Sequence, residues 1–255
     1  MRILKSFLIA FSTYSKIPVP VFGWEEENMK YIYCFFPWVG AVIGVCFYFW
    51  NVCCGYFQIG EICRLTIGLA IPLLITGGFH VDGFMDTMDA LHSYQEKERK
   101  LEILKDSHIG AFAVIMLAAY GLIVLGALSE IKQISLLKIV CAGFFLSRCL
   151  CGISAVTFPL ARKGGMLYLF ADRAHKRIVK GSLYLQSSLC ILFMLSCSPA
   201  VGALVTVAAF LAFFYYDRRS RKEFGGVTGD TAGYFILLCE GVMIVAAAAG
   251  GYFFK

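Results

Sequence analysis

Three aspartates, Asp82, Asp86 and Asp89, stand at i, i+4 and i+7 in the stretch Thr76-Gly-Gly-Phe-His80-Val-Asp82-Gly-Phe-Met-Asp86-Thr-Met-Asp89. On a helix, at about 100° per residue, they fall within about 60° of one another. Three carboxylates on one stripe repel, and at the end of an apolar segment the repulsion costs more. Hard divalent ions, Mg²⁺ above all, take such oxygen ligands and share them with substrate phosphates. A solvated acidic helix start accounts for one Asp, not for three with no basic residue between them. Flanking glycines let a ligand approach the backbone. The expected metal ligands are therefore Asp82, Asp86 and Asp89, and the expected chemistry is metal-assisted work on phosphate. His80 fits a phosphate donor or a structural neighbour better than a ligand.

Other segments carry compatible groups. Lys105-Asp106-Ser107-His108 precedes Ile109-Gly110, where an apolar block begins. Asp106 could complete a metal shell there, and Lys105 could meet phosphate. Ser147-Arg148 puts a charge inside an apolar block, which by default faces the protein interior or a polar cavity. Pro159-Leu-Ala-Arg162-Lys163-Gly-Gly is a basic turn. Gly225-Gly-Val-Thr228-Gly-Asp230-Thr231 is a glycine-rich turn able to present N–H groups to an anion. Glu240 follows as an acid inside the last apolar block. The charged run Glu96, Glu98, Arg99, Lys100 reads as a surface helix with i, i+4 pairs.

These groups must be positioned by elements that live in lipid. Of 255 residues, 59% are hydrophobic and 16% charged, and the mean hydropathy is +0.74. The apolar residues come in blocks long enough to cross a bilayer, which takes about 20 residues each. The candidate spans are Cys34–Phe57, Ile62–Gly78, Gly110–Leu128, Ile134–Thr157, Leu183–Cys197, Ala200–Tyr216 and Ala232–Phe253. The fifth is short, and the breaker Ser196-Cys-Ser-Pro199 makes it either a tight pair with the sixth or a re-entrant hairpin. The reading is an all-α, polytopic transmembrane helical bundle of six or seven spans, seven preferred, in one domain over 1–255. With seven spans, 18 of the 23 basic residues fall on one side, which the positive-inside rule makes cytoplasmic. Nearly all the acids fall there too, so the active site is expected at the cytoplasmic face. The charge of +6 is explained by these flanking anchors and by contact with anionic lipid, so no nucleic-acid partner is expected. The 11 cysteines lie mostly in apolar blocks without zinc or redox spacing, and a disulfide framework is not expected. No cleavable signal peptide is visible.

Together the motifs resemble those of the adenosylcobinamide-GDP ribazoletransferase family, the cobalamin synthases. The matching pieces are Phe11-Ser-Thr-Tyr-Ser-Lys-Ile-Pro18-Val-Pro20, Phe36-Pro37-Trp-Val-Gly40, the Asp-rich stretch, Glu102-Ile-Leu-Lys105-Asp106-Ser107-His108-Ile-Gly110, Ser147-Arg148, Ala161-Arg162-Lys163-Gly164 and Gly225-Gly-Val-Thr228-Gly-Asp230. His108 departs from the usual arginine, and no glycines follow Asp89. The resemblance implies a Mg²⁺-dependent phosphotransferase. Its substrates would be adenosylcobinamide-GDP and α-ribazole or its 5′-phosphate, and its products adenosylcobalamin or its phosphate plus GMP. It implies catalytic roles for Asp82, Asp86, Asp89, Asp106 and Lys105. Substrate contacts fall to His80, Ser107, Arg148, Arg162, Thr228 and Asp230, and Asp89 or Asp106 would serve as base. The expected location is the cytoplasmic (inner) membrane of a bacterium or archaeon. Partners are membrane lipid and the two substrates, with a homo-oligomer left open. Two rival classes fit less well. A CDP-alcohol phosphotransferase places Ala-Arg shortly after Asp-Gly, whereas Phe-Met-Asp-Thr follows Asp82-Gly83 here. A cation or metabolite transporter concentrates ionisable groups near mid-membrane.

Overall fold

A computed structural model describes residues 2–254. Among them the chain forms twelve helices and no strand. They are α1 (Arg2–Tyr14), α2 (Glu26–Met29), α3 (Ile32–Tyr56), α4 (Glu61–Thr76), α5 (Phe79–His92), α6 (Lys97–Ile103), α7 (Ala111–Ser129), α8 (Ile134–Thr157), α9 (Gly165–Arg173), α10 (Lys176–Cys197), α11 (Pro199–Phe224) and α12 (Gly229–Phe253). Six of these, α3, α7, α8, α10, α11 and α12, are long and apolar enough to cross a membrane. Helix α8 is the central one: 83% of its apolar window is buried, against 17% for α7. A helix with so little burial faces lipid on most of its circumference.

The second expected span, Ile62–Gly78, corresponds to α4, and the chain bends sharply where it ends. Helices α4 and α5 meet at 96°, and Gly77 and Gly78 make the elbow with φ of 70° and 80°. Two consecutive left-handed residues end one helix and start another in a new direction, which residues with a Cβ adopt only under strain. The pair runs between the two ends of the neighbouring helices. Lys132, after α7, bonds Glu61 at the start of α4 (2.7 Å), so the far ends of α3 and α7 share one face. Trp50 near the end of α3 donates to the Arg64 carbonyl (2.9 Å), which fixes α4 beside it. At the other face, Asp89 of α5 accepts hydrogen bonds from the start of α7. Counted as one span, the bent pair brings the candidate crossings to seven.

Two further span boundaries differ from the sequence reading. Helix α10 starts at Lys176, not Leu183, because basic residues at its start can extend their stems along the apolar surface. It and α11 form a tight pair broken only at Ser198. Helix α11 in turn runs on to Phe224, beyond Tyr216. Lys255, counted toward the far face, lies outside the described residues. All eleven cysteines are free.

Buried polar pairs hold the bundle at two levels. Arg148 on α8, 1% exposed, donates to Glu240 on α12 (2.6 Å) and to the Phe144 carbonyl (2.8 Å). Ser147 also donates to Glu240 (3.1 Å). Removing one partner of such a pair typically costs about 3–5 kcal/mol, because the other is left charged in a low dielectric. At the polar face Lys100 is buried, not on a solvated surface as its charged helix suggests. It pairs with Glu223 (2.5 Å), which Arg219 also reaches (3.1 Å), and so ties α6 to α11.

Candidate active site

The site forms where α5 crosses the start of α12. The contact is backbone to backbone: a Cβ on Gly83 would lie 2.7 Å from the Asp230 carbonyl oxygen, and one on Gly233 would lie 2.9 Å from that of His80. Glycine at both positions lets the helices touch. In consequence the aspartate stripe on α5 gains a fourth carboxylate from another element. Asp82, Asp89 and Asp230 all act electrostatically on Asp86. Asp82 is exposed, whereas Asp86, Asp89 and Asp230 are half-buried.

Local structure fixes Asp230 and brings Arg162 to it. Thr228 caps α12: its Oγ1 accepts from the Thr231 N–H (3.1 Å), and the Thr231 hydroxyl accepts from the Thr228 N–H (2.8 Å). This reciprocal capping box sets Asp230 in the first turn, where an acid is favoured by the helix dipole. The preceding turn is stapled to the Pro159–Arg162 loop. Val227 N–H donates to the Pro159 carbonyl (2.9 Å), and Ala161 N–H donates to that of Val227 (3.0 Å). Arg162 therefore sits beside Asp230, with Nη2 3.5 Å from Oδ2. Its Nη1 is buried without a hydrogen-bond partner. An orphaned guanidinium donor beside carboxylates is a ready contact for an anion.

The other expected site residues separate into different settings. Asp89 accepts from the N–H groups of Gly110 (2.6 Å) and Ala113 (2.8 Å), one on each oxygen, and so caps α7 from a neighbouring helix. Asp106 is exposed and bonds the His108 N–H (3.0 Å) and its Nδ1 (2.6 Å). The His108 backbone bond, then its ring, hold the Asp106 carboxyl below the usual carboxylate range. Lys105 and Ser107 are exposed on the same loop. His80 is buried, with its ring 6.0 Å from that of Phe36 and Nε2 unpartnered. Arg148 does not reach the cleft; its partner is Glu240, 92 residues away, and the expected phosphate contact is replaced by the buried ion pair.

A cavity of about 850 Å³ opens beside Asp82, between the end of α1, the Gly77-Gly78 elbow and the first turn of α5. Lys16 lines it. In the sequence Lys16 had no role of its own; it stood only as one position of the Phe11–Pro20 stretch that resembles the family.

The hard donor set suits Mg²⁺. Among the described residues no three acidic, histidine or cysteine groups form a ready-made cage. Mg²⁺ is ordinarily held by one or two carboxylates with water and substrate phosphates completing an octahedron. Asp82, Asp86 and Asp230 are the carboxylates from which one or two such ligands could come.

An all-helical membrane bundle with an acidic cluster and an arginine at one face defines a class, the integral-membrane enzymes acting on phosphate esters. The comparisons with known proteins narrow it. The family model described as cobalamin-5-phosphate synthase matches residues 6–248, and the chain belongs to that family. It is 43% identical over 251 residues to the adenosylcobinamide-GDP ribazoletransferase of Lachnoclostridium phytofermentans, covering 97% of this chain and 95% of the relative. It is similar to proteins of the same name from Listeria welshimeri, at 31% identity with 90% and 92% covered, and Clostridium perfringens, at 29% with 92% and 94% covered. No solved structure matches the chain.

Proposed function

We propose that this protein joins adenosylcobinamide-GDP to α-ribazole, or α-ribazole 5′-phosphate, giving adenosylcobalamin, or its 5′-phosphate, and GMP. The observation that carries the chemistry is the meeting of Asp82 and Asp86 with Asp230 and Arg162 at one helix crossing. In the reaction a ribazole hydroxyl forms a bond to the phosphorus attached to cobinamide. The bond from that phosphorus to the GMP oxygen breaks, and the hydroxyl proton passes to a carboxylate.

Each residue has a role in this scheme. One or two of Asp82, Asp86 and Asp230 would hold Mg²⁺, with Asp89 bordering them. The ion would supply electrostatic stabilisation of the charge that develops on the phosphate. Arg162 donates to a phosphate oxygen through its free Nη1. Asp230 orients that guanidinium. Lys105 and Ser107 approach substrate from the exposed loop. Of the two bases expected from sequence, Asp106 is weakened, because hydrogen bonds from His108 stabilise its charged form, and Asp89 is engaged elsewhere, both its oxygens accepting N–H groups of α7. Proton uptake then falls to whichever of Asp82, Asp86 and Asp230 is not holding the ion, and Asp86 suits it best, because burial and its acidic neighbours push its carboxyl up to about 7. The enrichment of basic residues on the site's face supports a cytoplasmic orientation in the inner membrane.

The test uses purified protein with adenosylcobinamide-GDP. GMP release is expected only with both Mg²⁺ and α-ribazole or its 5′-phosphate present, and EDTA should abolish it. Turnover of a CDP-alcohol with none of cobinamide would overturn the assignment, and full activity in EDTA would overturn the metal role.

A further inference from the structure

The cavity beside Asp82 is not used by the scheme above, and its charges indicate what it holds. One wall carries Asp82; another carries Lys16. Lys16 is held at its base. Its N–H donates to the Ile75 carbonyl (2.7 Å), and its stem lies over Gly77, where a Cβ would come within 2.7 Å of Cγ. Its ammonium, by contrast, is exposed and makes no ion pair among the described residues.

Most of the cavity's other polar groups are already spent; the exception is the buried Thr13 hydroxyl, which has no hydrogen-bond partner. Ser12 donates to the Ile9 carbonyl (3.1 Å) and Ser15 to that of Phe11 (2.7 Å). The N–H groups of Gly77 and Gly78 both donate to Leu73. Among the described groups lining the cavity, Lys16 is therefore the unpaired cation. A carboxylate that binds a divalent ion on one wall and a free ammonium on the other suit a ligand with several adjacent anionic oxygens. The volume, about 850 Å³, is within the range of nucleotide-sized pockets.

We infer that this cavity binds the diphosphate of the nucleotide-bearing substrate, with the Lys16 ammonium contacting a phosphate oxygen. The inference rests on the proposed reaction for the substrate's name, but not for the chemistry of the site. It also accounts for the Phe11–Pro20 motif, since the end of α1 and the following loop carry Lys16 to the elbow.

Steady-state kinetics of Lys16→Met and Lys16→Arg test it. Methionine keeps an apolar stem over Gly77 and removes the charge. Lys16→Met is expected to raise KM for adenosylcobinamide-GDP by about tenfold or more, with KM for α-ribazole 5′-phosphate and the unfolding temperature unchanged. Lys16→Arg should recover most of the loss. An unchanged KM for adenosylcobinamide-GDP, or an equal rise in both KM values, would overturn the site. Calorimetric titration of the detergent-solubilised protein with Mg·GDP separates this from the reaction itself. If the wild type releases no GMP, the reaction is wrong and the site is judged on binding alone. A Lys16→Met protein with tenfold weaker Mg·GDP binding upholds it, and wild-type affinity overturns it.

Discussion

At the scale of single residues, Asp89 separates two meanings of an acidic motif. All three aspartates share a helical stripe, yet Asp89 receives two N–H bonds from the start of α7. A cap supplied across space satisfies the same orphan donors as a local one. Asp89→Ala is expected to cost about 1–2 kcal/mol of stability in denaturant unfolding, and Asp89→Asn less, since one carbonyl oxygen still accepts. If Asp89 acts mainly as the cap, Asn should also leave the Mg²⁺ concentration for half-maximal activity within about twofold, because a bordering carboxylate adds only a screened charge. This role was hidden in the sequence. Asp89 and Gly110 are 21 residues apart, and nothing in their spacing shows that α5 and the start of α7 meet. Arg148 is a similar case. Its burial was legible from the apolar residues around it, but Glu240 as its partner was not, because both helices must be placed before the pair is seen.

At the scale of elements, the crossing of α5 and α12 builds the cluster. Gly83→Ala places a methyl 2.7 Å from the Asp230 carbonyl oxygen and 2.9 Å from its Cα, atoms of a helix backbone that cannot rotate away. Overpacking of this kind costs about 1–3 kcal/mol. It should also separate Asp230 from Asp86, so GMP release is expected to fall more steeply than the unfolding temperature. Equal activity in Gly83→Ala would mean that the two helices need not touch for catalysis. The helices themselves were largely legible: apolar blocks bounded by Gly, Pro and charge gave six spans close to the observed ones. The elbow was not. Gly77-Gly78 reads equally as the end of a span and as a loop, and only the left-handed geometry of both residues turns the chain through 96°. The aspartates thereby stand on a helix of their own rather than at the tail of a span.

At the scale of the whole molecule, polar groups are divided by depth. The ion pair between α8 and α12 is sealed inside the bundle, whereas the carboxylates, Arg162 and Lys16 gather at one face. A transporter would need ionisable groups open to a path through the middle; here the deep pair is buried and each charge is met by the other. The face is a composite of α5, the α8–α9 loop, the α11–α12 turn and the end of α1, four segments distant in sequence. The family resemblance named the substrates, and the fold shows which of the expected residues stand together.

Helices α5 and α12 are proposed to form the metal-assisted site jointly. The most direct test is the rate of GMP release from adenosylcobinamide-GDP at saturating Mg²⁺ and α-ribazole 5′-phosphate, in wild type, Asp82→Asn and Asp230→Asn. A loss of about 10²-fold or more is expected in each variant, with unfolding temperatures near wild type. Wild-type rates in Asp82→Asn, or in Asp230→Asn, would contradict it.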